Sequence, residues 1–318
     1  MNKITKKNIL ITGANGFIGR NLCAFLKEKD YSVRAAVRSN VNDVFGVEEY
    51  VQIGDINDST DWKQALSGVD TVIHLAAHVH VMDNPDDGSL EEFRKVNVLG
   101  TERLALLSAN AGVKRFIFIS SVKVNGERKS APYCEDDIAD PQDAYGISKL
   151  EAENILKKIA NETDLQIVIL RIPMVYGPGV KANFKSLIKI AGSGIPLPFK
   201  GINNRRSLLY VGNLVDAISI CVYHPKAMNE IFLLSDGQDV STSDLIRIIA
   251  CAMDKKVRLF FFPPVILKTL FTIMGKAQAW DKLAGSLFVD NRKIRNLLSW
   301  KLPFTLEEGL RETIKLYK

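Results

Sequence analysis

The stretch from residue 8 to residue 20, NILITGANGFIGR, decides how the rest of the chain reads. A short apolar run ends in three glycines spaced three apart, Gly13, Gly16 and Gly19, and an amphipathic stretch begins at Phe17 and Ile18. Such spacing meets three physical needs: a tight turn, a backbone able to touch a pyrophosphate, and close packing of helix on strand. The helix opening near Phe17 offers free N–H groups and a positive dipole end to phosphates. Glycines alone mark any turn, but a strand before and a helix after make a dinucleotide site the stronger reading.

Working outward, the apolar runs 33–37, 50–54, 70–76, 115–120 and 166–172 join 8–12 as predicted strands, each short and bounded by polar turns. Buried parallel strands have this appearance. Helical patterns near 17–29, 59–67, 89–111 and 143–162 lie between them. Repeated alternation of this kind predicts an α/β fold, a Rossmann-type doubly wound parallel sheet. After Pro173 the pattern loosens, with glycine and proline clustered at 176–180 and 192–199. The expected division is 1–173 as the dinucleotide-binding domain and 174–318 as a smaller substrate-binding region, some of whose segments return to the sheet. Thr305 and Glu308 carry the capping-box spacing for a last helix.

Bulk composition narrows the class. Of 318 residues 47% are hydrophobic and 25% charged, which is ordinary for a globular chain. The formal charge of +6 fits a small polyanionic ligand, and the chain has no Lys/Arg-rich run of the kind that binds nucleic acid. Four dispersed cysteines without CxxC spacing read as free thiols of a cytoplasmic protein. The apolar run near the N-terminus is too short for a signal core. The segment 259–275, LFFFPPVILKTLFTIMG, is interrupted by Pro263, Pro264 and Lys268 and falls short of the ~20 residues of a membrane span, so a buried helix or subunit contact is expected there. The four histidines lack ligand spacing, and no metal site is expected.

Two further features bear on chemistry. An acidic residue about twenty positions after the glycine turn commonly holds a ribose 2′-hydroxyl. This chain has Arg38 there and no acid between Tyr31 and Asn42. A guanidinium suits a 2′-phosphate dianion, so NADP is the expected cofactor, with NAD as the alternative. Tyr145 and Lys149 in YGISK share a helix face, and an ammonium beside a phenol is expected to lower its pKa into a usable range.

With these motifs in order, nearly the whole chain resembles the extended short-chain dehydrogenase/reductases, a group containing nucleotide-sugar epimerases, dehydratases and ketoreductases. The resemblance implies that Asp55 and Ile56, in GDI, and Ala76 and Ala77, in HLAAH, line the cofactor. It implies that Ser121 holds the reacting oxygen, with Ser120 as the competitor, while Tyr145 exchanges the proton and Lys149 binds ribose and tunes Tyr145. It places Asn183 and Arg206 beside a substrate diphosphate, with Arg205 as a substitute for Arg206. Dehydratases of the group carry Asp-Glu where this chain has Val122 and Lys123, which disfavours water elimination. Asn125 stands where a Tyr is usual, and Ser207 where Asp is commoner. The expected activity is an NADP(H)-dependent reductase of a UDP-linked 4-ketosugar, similar to enzymes of bacterial surface-polysaccharide synthesis. The alternatives are a UDP-sugar 4-epimerase with retained NAD and a non-catalytic NADP(H)-sensing protein. A homodimer through the helices at 89–111 and 143–162 is also implied.

Overall fold

Short β-branched runs form the strands β1 (Asn8–Thr12), β2 (Ser32–Val37), β3 (Glu49–Gln52), β4 (Thr71–His74), β5 (Arg115–Ser121), β6 (Gln166–Ile172), β7 (Met174–Tyr176), β8 (Arg206–Tyr210), β9 (Glu230–Leu233) and β10 (Asp239–Val240). This computed structural model describes residues 7–39, 43–79, 89–127 and 129–317, apart from the side chains of residues 182, 183 and 278. Seven strands make one parallel sheet in the order β3-β2-β1-β4-β5-β6-β9. All seven residues of β5 are buried, as a central strand covered on both faces requires. The strand order reverses between β1 and β4, where Thr12 pairs with His74. A crevice opens at the carboxyl ends of the strands at such a point, and ligands bind there.

The helices of the first half are α1 (Phe17–Glu28), α2 (Lys63–Leu66), α3 (Leu90–Arg94), α4 (Gly100–Asn110) and α5 (Ala144–Glu162). One face of the sheet is covered by residues such as Trp62, Leu104 and Leu156, and the other by a larger cluster including Leu22, Leu214 and Ile218. The second half contributes α6 (Ala182–Ala191), α7 (Val211–Tyr223), α8 (Thr242–Ala252), α9 (Pro264–Ile273), α10 (Ala277–Ala284), α11 (Arg292–Leu297) and α12 (Leu306–Ile314). There β7 and β8 pair in parallel, and β8 pairs antiparallel with β10, forming a small mixed sheet. The chain returns to the large sheet at β9, parallel to β6. Thr305 and Glu308 form the capping box of α12 reciprocally.

Three elements differ from their sequence pattern. The helix expected at 59–67 is only α2, because polar side chains hold the preceding residues in a turn. The Asn57 carboxamide oxygen accepts from the Ser59 N–H at 2.8 Å, and the Thr60 hydroxyl donates to the Asp55 carbonyl at 2.8 Å. The helix expected at 89–111 is interrupted by a π turn at Lys95–Leu99. The expectation of a buried helix within 259–275 is corrected, since Leu267 is the buried residue of α9 and much of its remaining apolar surface is exposed. Among the described residues no helix is long and apolar enough to cross a membrane.

Candidate active site

The glycine turn sits at the reversal point, pressed against the end of β4. Gly13 has φ +70°, and a Cβ there would come within 2.9 Å of the Ala76 nitrogen. At Gly19 a Cβ would lie 2.2 Å from the Gly13 carbonyl oxygen. Both positions therefore exclude a side chain. Gly16 is the N-cap of α1 with no side-chain cap, and the first turn carries no acid. The N-terminal N–H groups and dipole thus face the crevice without a competing carboxylate, which fits a pyrophosphate. The Ala76 N–H donates to the Thr12 hydroxyl at 3.1 Å, fixing this stretch, and Ala76 and Ala77 remain partly exposed.

His74 is part of the scaffold. Its Nδ1 lies 2.7 Å from the Thr12 hydroxyl and its Nε2 lies 3.1 Å from the Thr101 hydroxyl. Burial, and then the Lys149 charge, push its pKa down to about 3, so the ring is neutral. Among the described residues, no cluster of three or more His, Cys, Asp or Glu side chains could hold a metal ion.

Arg38 and Asp55 meet at the exposed rim of the crevice, with Nε 3.2 Å from Oδ1 and side chains 81% and 76% exposed. Ile56, next in sequence, packs against the apolar cluster beneath. The guanidinium that suited a 2′-phosphate therefore has a carboxylate beside it, and the pair's net charge is zero.

The candidate reacting centre lies where β5 ends against the start of α5. Ser120 turns into the core, donating to Glu153 at 2.6 Å, while Ser121 accepts the Lys123 N–H at 3.3 Å and caps a short 3-10 turn. The two serines of the motif are thus separated by strand alternation. Asp143 caps α5 by accepting the Gly146 N–H at 2.7 Å, which places Tyr145 in the first turn. Lys123 pairs with the same Asp143 carboxylate and lies 3.4 Å from Glu127. Its backbone oxygen is so close to Gly146 that a Cβ there would sit at 3.0 Å. This close approach seats Tyr145 on the turn that follows Ser121.

The expected lowering of the Tyr145 pKa is corrected. Burial first, then the Asp143 charge, push the phenol up to about 12. Lys149 cannot offset this, because burial pushes its own ammonium down to about 7. Its Nζ lies 4.0 Å above the Phe118 ring. Asp143→Asn is expected to move the rising limb of kcat/KM against pH to lower pH by about half a unit to one unit. The sign follows from removing a negative charge that opposes the phenolate. Asn caps helices as well as Asp does, so the cap should hold, while the part-exposed ion pair to Lys123 is lost at a cost of about 0–1 kcal/mol. An unshifted pH profile would remove Asp143 from the control of Tyr145.

Asn97 belongs to this site, although its sequence alone did not single it out. The π turn aims its carboxamide inward, donating to the Ser148 hydroxyl and the His78 carbonyl, both at 3.0 Å, and accepting the His78 N–H at 2.8 Å. It ties the end of β4 to the helix bearing Tyr145. The available signal was an asparagine between two valines in a helical run.

Asn125 is buried and structural. It accepts from Arg171 at 3.2 Å and donates to the Cys134 carbonyl at 3.1 Å. Arg206, expected beside the substrate, begins β8 and donates to the carbonyls of Gly285 at 3.0 Å and Asp281 at 3.2 Å. Burial pushes its pKa down, and Glu127 opposes that shift. Glu127 thus lies electrostatically between Arg206 and Lys123. Arg205 instead pairs with Asp239 at 2.9 Å, and Ser207 donates to the same carboxylate at 2.6 Å. Asn183 falls within α6, and its side chain lies outside the described residues.

Comparison with known proteins agrees with this geometry. Residues 9–234 match the NAD dependent epimerase/dehydratase family. A UDP-glucose 4-epimerase of Vibrio cholerae is 45% identical over 315 residues, 98% of this chain and 95% of the relative. An Escherichia coli O157:H7 protein, N-acetyl-α-D-glucosaminyl-diphospho-ditrans,octacis-undecaprenol 4-epimerase, is 30% identical, covering 97% of this chain and 94% of its own. Among solved structures, the Thermotoga maritima UDP-glucose 4-epimerase with UDP-glucose has a TM-score of 0.77 at 25% identity, with 98% of each chain covered. MoeE5 in complex with UDP-glucose and NAD has a TM-score of 0.78 at 25% identity, again with 98% of each chain covered. The glycine cradle, the Tyr145–Lys149 helix and the likeness along almost the entire length have one explanation: the chain belongs to the NAD dependent epimerase/dehydratase family, and is an enzyme of the extended short-chain dehydrogenase/reductase type.

Proposed function

We propose that the protein is a 4-epimerase of a UDP-linked hexose or N-acetylhexosamine, working with a retained NAD. The observation that carries this reading is the near full-length likeness to the Vibrio cholerae UDP-glucose 4-epimerase. Solved relatives holding UDP-glucose and NAD support the same ligands. The 4-ketoreductase expectation ranks below it. Arg38, the residue that favoured NADP, has Asp55 beside it to neutralise its charge.

A nicotinamide ring, when bound, accepts a hydride from a sugar carbon and returns it. The glycine turn and the N-terminus of α1 hold the pyrophosphate, with Phe17, Ile18, Asp55, Ile56, Ala76 and Ala77 lining the nucleotide. Tyr145, in its phenolate form, takes the proton from the C4 hydroxyl and later gives it back, and Ser121 holds that oxygen by a hydrogen bond. Lys149 binds the ribose. Asn183 and Arg206 hold the sugar diphosphate in this reading. Val122 and Lys123 offer no acid pair for elimination, so oxidation and reduction at C4 remain the chemistry.

The test is conversion of UDP-glucose and UDP-N-acetylglucosamine to their 4-epimers by the purified protein with no nucleotide added. Turnover only of a 4-ketosugar, and only with NADPH supplied, would restore the ketoreductase. Bound nucleotide without any turnover would point to a sensor. Denatured protein is expected to release NAD, about one per chain, and Arg38→Ala to leave that stoichiometry unchanged, because exposed ion pairs contribute about 0–1 kcal/mol. Release of NADP from the wild type would overturn the cofactor assignment.

One observation favours a second substrate, a polyprenyl-diphosphate-linked N-acetylhexosamine like that named for the Escherichia coli relative. The α9–α10 segment joined to Arg206 exposes a broad apolar face. Assay with a short-chain polyprenyl-diphosphate sugar separates the two substrates. The same reading includes a homodimer through the helices at 89–111 and 143–162, where Leu99 and Leu106 are exposed, and light scattering of the purified protein tests it.

A further inference from the structure

The outer face of α9 has no partner among the described residues. Ile266, Leu270 and Met274 recur every four residues and are exposed, with Val265 and Ile273 beside them at 75% and 77% exposure. The opposite face is well occupied, since Leu267 and Phe271 pack with Trp280 and Ile202. The helix is therefore held in place by one apolar stripe while displaying a second. Phe261, 65% exposed, extends the displayed surface beyond the N-terminus of the helix. An apolar patch of this kind marks a binding surface for a protein or a membrane.

Charge decides between the occupants. From residue 254 to residue 282 the basic residues are Lys255, Lys256, Arg258, Lys268, Lys276 and Lys282, and the acids are Asp254 and Asp281. All six cations are exposed. A second copy of the chain docking through a two-fold contact would set these like charges face to face. An apolar stripe with phenylalanine in a segment rich in exposed lysine is instead the composition of an element that lies in a lipid–water interface. Long lysine side chains can keep their ammonium groups among headgroups while their stems cover the apolar surface. At ten residues the helix lies on a bilayer and does not cross it.

We infer that the α9 face docks on an anionic lipid bilayer, making the protein a peripheral membrane protein. The inference is independent of which sugar the active site turns over. The inner face of α9 packs on α10 through Phe271 and Trp280, and α10 is tied to β8 where Arg206 donates to the Asp281 carbonyl. Each basic residue near an anionic surface contributes roughly fivefold in partitioning.

The experiment is co-sedimentation of the full-length protein with vesicles of phosphatidylethanolamine and phosphatidylglycerol, and with vesicles of phosphatidylcholine alone. Binding to the anionic vesicles is expected, weakened by salt and at least tenfold lower on phosphatidylcholine. Leu270→Glu with Ile273→Glu should abolish it, and Lys268→Glu with Lys276→Glu should weaken it at least tenfold. Both double variants alter exposed residues away from Tyr145 and Lys149, so nucleotide content and turnover of UDP-glucose, which has no polyprenyl tail, should match the wild type, which also verifies folding. The inference is overturned if the wild type stays in the supernatant, binds both vesicles equally, or binds regardless of the substitutions. A dimer that Leu270→Glu with Ile273→Glu splits, without vesicle binding, would assign the face to a second copy and overturn it as well.

Discussion

Tyr145→Phe is expected to lower turnover by about 100- to 10,000-fold, the range that a positioned proton-transfer group supplies. The ring should stay where it is, since its edge-on contact with Phe93, centroids 6.1 Å apart, needs no hydroxyl. Bound nucleotide per chain should therefore match the wild type. The change removes only the phenol, at the position where Asp143, the Gly146 contact and the end of β5 converge. Steady-state rates with the sugar nucleotide, together with nucleotide content after denaturation, measure both halves of the claim. A variant retaining more than about a tenth of the wild-type rate falls well short of that range and moves the proton transfer to another group.

The second large effect concerns stability. Glu153 and Arg171 form an ion pair at 2.7 Å with side chains 0% and 3% exposed, and the Ser120 hydroxyl donates to the same carboxylate. Glu153→Ala leaves a buried guanidinium without its counter-ion and Ser120 without its acceptor. Breaking a buried pair from one side costs about 3–5 kcal/mol. Thermal unfolding of the variant should show that loss, and Arg171→Ala a comparable one. A cost below about 1 kcal/mol, the ceiling of an ordinary exposed pair, would mean that water enters this part of the core. The pair lies directly beneath the reacting centre, and its Arg171 also holds Asn125 in the turn region after Ser121.

Much of this architecture was legible because it depends on periodicities a few residues long. The strand, glycine turn and helix over residues 8–20 state a local requirement, and the structure meets it with a Gly13–Ala76 approach that excludes a side chain. The Tyr145–Lys149 spacing is likewise local, and so is the Thr305–Glu308 cap. Asn97 was missed because its importance comes from a π turn that aims it at partners from distant elements, His78 and Ser148. The full reach of the Ser120 side chain could not be read from the motif either, since its partner Glu153 lies 33 residues away.

The sequence by itself determined the doubly wound fold, the tight glycine turn after β1 and the placing of Tyr145 and Lys149 on one helix face. All of these follow from short-range spacing and side-chain chemistry. The tertiary structure alone decided the electrostatics and the partners. It set Asp55 beside Arg38, and it enclosed Tyr145 and Lys149 so that the phenol rises to about 12 and the ammonium falls to about 7. It also turned one apolar stripe of α9 inward and left the other exposed. The reason is common to these cases: a charge or an apolar face acquires its energy from its surroundings, and those surroundings come from residues brought together only by folding.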